Sequence, residues 1–213
     1  MTMRKIIDFH AHPRYDFHNV HHGVEITDDR FRDDLQNAGV SAVCGSVIWE
    51  AMQNTESSSF GDIIVQANRA ALQCREKWGS FYCPGIHIHP GFVQTSCEEI
   101  TWAKANGIGL IGELVPYMMG WQRYSSPETV EILTYAAELD MTVSMHPTFP
   151  EDMEKLAAAL PHLKLVYAHL SGYGQYEEHI ALMKKYDNVY FDYSAHGSDH
   201  DGLLRKTIDL VGR

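Results

Sequence analysis

The run Asp8-Phe9-His10-Ala11-His12-Pro13 places two imidazoles two residues apart. If the run closes a β-strand, both rings project from one face, because side chains alternate along an extended chain. Two imidazoles on one face are half of a divalent-metal site, and imidazole suits zinc and its neighbours. Three more ligand-type side chains occur in the same setting. Glu113 closes the apolar run from Gly109, His146 follows Thr142 to Met145, and His169 follows Lys164 to Ala168. Each ends an apolar run and precedes a loop. This shared placement predicts that His10, His12, Glu113, His146 and His169 converge on one cavity and hold one or two divalent ions, zinc foremost. Glu113 and His169 are the candidate catalytic groups, with Glu113 bridging two metal positions.

Other residues are candidates for touching substrate. His87 and His89 form a second His-x-His in Gly85-Ile-His-Ile-His-Pro90. Tyr117, Trp121 and Arg123 follow Glu113 in the next loop, where aromatic and guanidinium groups can build a substrate wall with an anion clamp. His196 follows the last apolar run, and His18, His21 and His22 follow the first.

The elements that position these groups alternate. Strands are predicted at Lys5 to Phe9, Ala42 to Ile48, Phe81 to His87, Gly109 to Leu114, Thr142 to Met145, Lys164 to His169 and Val189 to Asp192. Helices are predicted at Asp28 to Ala38, Gly61 to Trp78, Cys97 to Asn106, Pro127 to Leu139, Glu151 to Leu160, Tyr176 to Tyr186 and Gly202 to Leu210. Ser126-Pro127 supplies an N-cap and a proline at the first helical position. Ala38-Gly39 and Asn106-Gly107 supply helix ends with a left-handed glycine. Strand–helix alternation predicts βαβ units and a parallel sheet. An open doubly wound sheet would carry a glycine-rich turn after its first strand. This chain has His-Ala-His-Pro there, so the expected class is α/β, a TIM-type (β/α) barrel in one domain over residues 1–213. Only seven units are recognised where a closed barrel needs eight, so an eighth strand is expected to be missing.

Composition bounds the partners. The 213 residues carry a formal net charge of −11, with 45% hydrophobic and 21% charged residues. That excess of acid argues against a phosphate-binding surface, so no nucleic-acid partner is expected. No apolar run reaches the length of a membrane span. A cytoplasmic location is expected, with Cys44, Cys74, Cys83 and Cys97 as free thiols, since no C-x-x-C spacing occurs. The expected partners are a small-molecule substrate and, as a candidate, a second copy of the chain in a homo-oligomer.

The motif set resembles the amidohydrolase superfamily, and within it the amidohydrolase-2 and TatD-like branches, over nearly the whole chain. The family pattern is His-x-His on strand one, Lys or Glu on strand four, His on strands five and six, and Asp on strand eight. Here His10, His12, Glu113, His146 and His169 match it, and Val189-Tyr-Phe-Asp-Tyr-Ser-Ala195 is similar to the seventh strand. The resemblance implies a metal-dependent hydrolase that acts through metal-activated water on an amide, ester, lactone or phosphoester. Two alternatives stand behind that reading: a metal-dependent decarboxylase of an aromatic acid, or an impaired barrel. The family's strand-eight Asp has no match, and Asp192 and Asp199 lie too early to align with it. Low hydrolase activity is expected on that account, with a barrel wall open where the strand would lie.

Overall fold

The computed structural model describes residues 5–13, 18–21, 24–48, 52, 60–170, 175–194 and 202–212. Nine strands and seven helices are described. In chain order they are β1 (Ile6–Asp8), β2 (His18–His21), β3 (Val24–Thr27), α1 (Asp28–Asn37), β4 (Val40–Ser46), α2 (Phe60–Trp78), β5 (Tyr82–Ile86), α3 (Val93–Ala105), β6 (Leu110–Leu114), α4 (Pro127–Glu138), β7 (Thr142–Met145), α5 (Pro150–Ala159), β8 (Lys164–Tyr167), α6 (Tyr176–Lys185), β9 (Val189–Phe191) and α7 (Leu203–Val211). Seven strands form one parallel sheet in the order β1-β4-β5-β6-β7-β8-β9. Each unit sits beside its predecessor, and the sheet curls as a TIM-type barrel with helices outside. Among the described residues no eighth strand joins it.

Local chemistry accounts for the boundaries. Ser126 Oγ accepts from Thr129 N at 3.2 Å, and Pro127 follows as the first residue of α4. Gly39 and Gly107 end their helices with φ of +91° and +70°, where a side chain would be strained. Helix α3 starts earlier than its apolar periodicity suggests, because a tight turn over Pro90–Phe92 leads into it, and His89 Nδ1 accepts from Gly91 N at the head of that turn. The antiparallel pair β2–β3 lies in the stretch expected as loop after the first strand. β3 alternates as Val24-Glu25-Ile26-Thr27, but β2 reads His-Asn-Val-His with one apolar residue, so the pairing has little sequence signal.

The core fills the space between sheet and helices. Ile86, Ile111, Val143 and Leu165 on successive strands meet Ile64, Ile100, Ile132 and Leu156 from the helices, all buried. Burying each such side chain contributes roughly 1.5–3 kcal/mol. The two end strands differ: Ile6, Ile7 and Tyr190 are 50%, 58% and 48% exposed. A groove of about 450 Å³ runs between these edges, lined by Ile7, Phe9, Val166, Tyr190 and Phe191 among others. Among the described residues no helix is long and apolar enough to cross a membrane.

Candidate metal centre

The five residues singled out at strand ends come together. His10 and His12 follow β1, in a segment that Ala11 N ties to Cys44 O on β4 at 2.8 Å. Glu113 lies within β6, where the pairing with β7 shifts register between Ile111 and Leu114. Gly112 permits that shift: its φ is +93°, and a Cβ there would sit 2.0 Å from Ser144 O. His146 follows β7, and His169 follows β8 with a φ of +60°.

Distances define the cluster. Glu113 Oε2 lies 3.2 Å from His10 Nε2 and 3.3 Å from His12 Nε2, and Glu113 Oε1 lies 3.6 Å from His169 Nε2. The two Nε2 atoms of His10 and His12 are 3.1 Å apart. Ring centroids of His146 and His169 are 5.1 Å apart. Three overlapping sets of ligand atoms are compact enough for an ion: His10, His12 and Glu113; Glu113, His146 and His169; and His10, His169 and Asp192. Glu113 belongs to the first two, which is the position of a bridge.

The other ring nitrogen of each histidine faces an acceptor. His12 Nδ1 is 3.0 Å from Ser46 O, and His146 Nδ1 is 3.2 Å from Pro147 O. His10 Nδ1 is 2.8 Å from Asp192 Oδ2, and His169 Nδ1 is 2.9 Å from Ser194 Oγ. With Nδ1–H donating in all four, every Nε2 lone pair is left for the cavity. Glu113 Oε1 is buried with no hydrogen-bond partner. A buried carboxylate oxygen left that way is costly unless a cation takes it. This donor set fits a divalent ion.

Electrostatics agree with that reading. Burial alone would lower the His10 pKa, but hydrogen bonds to Asp192 and Glu113 push it up to about 10. Burial would raise Glu113, yet the imidazoles of His10 and His12 hold it well below the usual carboxylate range. Burial lowers the pKa of His169.

The remaining candidates sort by contact. His87 is buried, and burial pushes its pKa down to about 4 against the raising effect of its Nε2–H, which donates to Val47 O at 2.9 Å. His89 donates to Met119 O at 2.9 Å. Both rings hold backbone, so the structure does not bring them into the cluster. Tyr117 and Trp121 line a cavity of about 850 Å³ beside His146, together with Gln122, Thr148, Phe149 and Gln175. The Tyr117 ring stands edge-on to His146, centroids 5.3 Å apart. Trp121 Nε1 is buried without a hydrogen-bond partner among the described residues. Arg123 is exposed and lies outside that lining, so no guanidinium clamp forms there. His22, His196 and Asp199 fall outside the described residues, as do the side chains of His18 and His21.

Sequence reasoning missed Asp192 and Ser194. Asp192 closes the apolar run of β9 just as His146 closes that of β7. The strand-end rule would have found it; comparison with the family's eighth strand set it aside.

A TIM-type barrel with a histidine–carboxylate cluster at the C-terminal ends of its strands is the architecture of metal-dependent barrel enzymes. Residues 7–211 match the family model Amidohydro_2, Amidohydrolase, and the chain belongs to that family. No curated protein matches the sequence. Among solved structures, 2,6-dihydroxybenzoate decarboxylase from Rhizobium is similar at 14% identity and a TM-score of 0.69, over 99% of this chain and 85% of that one. The 5-carboxyvanillate decarboxylase from Novosphingobium aromaticivorans, complexed with manganese and 4-hydroxy-3-methoxy-5-nitrobenzoic acid, is similar at 14% identity and 0.64, over 86% and 66%. A probable 2-pyrone-4,6-dicarboxylic acid hydrolase from Acinetobacter baumannii, with citric acid bound, reaches 15% identity and 0.61, over 97% and 77%. At these identities the likeness is one of fold.

Proposed function

We propose that the chain is a metal-dependent hydrolase acting on an amide, ester, lactone or phosphoester of a small molecule, with zinc or a close analogue as its ion. The observation that carries this reading is the convergence of the His10, His12 and His169 Nε2 atoms on Glu113, with His146 in the same group, while Glu113 Oε1 is buried with no hydrogen-bond partner. When bound, a divalent ion supplies the charge that acidifies a water and polarises the scissile group. His10, His12 and Glu113 hold one position, and Glu113, His146 and His169 the other. Where only one ion binds, His169, kept neutral near pH 7 by burial, can take a proton at Nε2. The cavity lined by Tyr117, Trp121 and Phe149 shields an apolar, planar part of the substrate from water.

A second reading, decarboxylation of an aromatic acid, draws on that same aromatic rim. No Lys or Arg lines the cavity among the described residues, so a substrate carboxylate has to face the His/Glu cluster. The experiment loads chelator-treated protein with zinc or manganese. It then measures acid released from esters and lactones beside carbon dioxide released from hydroxybenzoates. Acid release that disappears in the His10→Ala/His12→Ala double variant, along with its metal, supports hydrolysis; carbon dioxide release with the same dependence supports the second reading. Unchanged metal content in that double variant sinks both.

A further inference from the structure

At the open seam of the barrel, β1 and β9 share no backbone ladder, and their C-terminal ends are joined instead through side chains. Asp192 Oδ2 accepts from His10 Nδ1 at 2.8 Å. Asp192 Oδ1 accepts from His169 N at 3.0 Å, from Ser194 N at 3.1 Å and from the Ser194 hydroxyl. Ser194 Oγ lies 2.9 Å from His169 Nδ1 and 3.0 Å from His10 Nδ1. With both imidazoles neutral, one proton arrangement satisfies Asp192 and both rings, the 3.0 Å approach of Ser194 Oγ to His10 Nδ1 being a second, shared acceptor for the same N–H. His10 Nδ1–H donates to Asp192, His169 Nδ1–H donates to Ser194 Oγ, and the Ser194 hydroxyl donates to Asp192. Every donor chain ends on one buried carboxylate, and both Nε2 atoms are left bare on the side facing Glu113.

We propose that Asp192 and Ser194 are positioning residues which fix the Nδ1–H tautomer and the ring orientation of His10 and His169, and so aim their Nε2 atoms at the cation site. The inference rests on the reading of the His/Glu cluster as a metal centre. His10, His169 and Asp192 are also close enough to form a ligand set of their own; the inference gives Asp192 an orienting role in place of that of a direct ligand. The three outer acceptors reached by His12, His146 and His169 are neutral oxygens; Asp192 is the one anionic acceptor in the outer ring. His10 and His169 are therefore tied to each other through a single group, and a change at Asp192 reaches one metal position through His10 and the other through Ser194 and His169. Outer partners of this kind orient a ligand and raise its basicity, and their loss typically lowers metal affinity about 10–100-fold.

The test measures cobalt and zinc binding to chelator-treated protein by calorimetry and, for cobalt, by visible absorption. Wild type, Asp192→Asn, Ser194→Ala and His12→Ala are compared, with metal-free melting temperatures recorded for each. Asp192→Asn is expected to stay folded and bind roughly 10–100-fold more weakly with an altered cobalt spectrum, while Ser194→Ala shows a smaller loss. In zinc-loaded wild type, His10 and His169 are both expected to give slowly exchanging Nδ1–H resonances. Ser194→Ala should lose that of His169 and keep that of His10. This readout needs no catalysis and does not depend on Asp192→Asn folding. A folded Asp192→Asn with wild-type affinity and spectrum overturns the proposal. So does binding abolished as fully as in His12→Ala, which would make Asp192 a direct ligand. Failure of wild type to bind either ion overturns the metal reading itself, and the inference with it.

Discussion

Raising the pH of the metal-free protein removes an interaction that a bound cation makes redundant. His10 lies between two carboxylates, 2.8 Å from Asp192 through Nδ1 and 3.2 Å from Glu113 through Nε2. Against the lowering effect of burial, those hydrogen bonds push its pKa from 6.5 up to about 10. A pKa raised by folding means that the folded state holds the proton more tightly. The stabilisation is therefore whole below pH 6.5, shrinks as pH rises, and is gone above about 10. At about 1.4 kcal/mol per pH unit the difference across that window is on the order of 5 kcal/mol. The depressed Glu113 is the other side of the same contact and adds nothing to the sum.

A divalent ion must displace the His10 proton. At neutral pH its binding should then release a proton, and the apparent affinity should rise nearly tenfold per pH unit up to about pH 10. The assay follows thermal unfolding across this window in chelator and in saturating zinc. Calorimetry in two buffers of different ionisation enthalpy counts the protons released. The metal-free melting temperature should fall steadily with rising pH while the zinc-loaded one stays nearly level. A level metal-free curve, with no proton released on binding at neutral pH, would refute the reasoning that ties His10 to both carboxylates.

Three further outcomes follow from other contacts. Asn68 holds the end of β5, its Oδ1 accepting from His87 N at 2.7 Å and its Nδ2 donating to His87 O at 3.1 Å; Asn68→Ala strands a buried N–H and should cost about 2–3 kcal/mol in chemical denaturation. Gly112→Ala forces a Cβ to within 2.0 Å of Ser144 O at a φ of +93°; it should lower stability by more than about 3 kcal/mol and release metal, and a variant that melts like wild type contradicts the packing described around Glu113. Tyr117→Ala and Phe149→Ala remove exposed rings from the rim of the cavity beside His146; each should raise KM about 10-fold with the melting temperature unchanged, and a loss confined to kcat would place substrate elsewhere.

Much of this molecule is legible in its residues. The seven strands of the sheet and all seven helices fall where apolar runs, the Ser126-Pro127 cap and the Gly39 and Gly107 stops put them, because those signals are local. The convergence of His10, His12, Glu113, His146 and His169 was also legible, since parallel strands in one sheet carry their C-terminal ends to one side. Other features were not. In the β2–β3 pair only β3 alternates, as Val24-Glu25-Ile26-Thr27; β2 holds a single apolar residue, Val20, and announces no strand. His87 and His89 share the His-x-His spacing of His10 and His12, yet they face the Val47 and Met119 carbonyls. Spacing sets which side chains point together, not what they meet.

The sequence by itself determined the order of elements, the absence of a nucleotide-type glycine turn and the five ligand-type side chains at strand ends, all of which depend on neighbours a few residues apart. Only the tertiary structure decided that Asp192 meets His10 across 182 positions of chain. That contact exists because the curl of seven strands brings β9 back toward β1, with no described strand between them. Curvature is a sum of small twists over every strand pair, and no single stretch of sequence carries it.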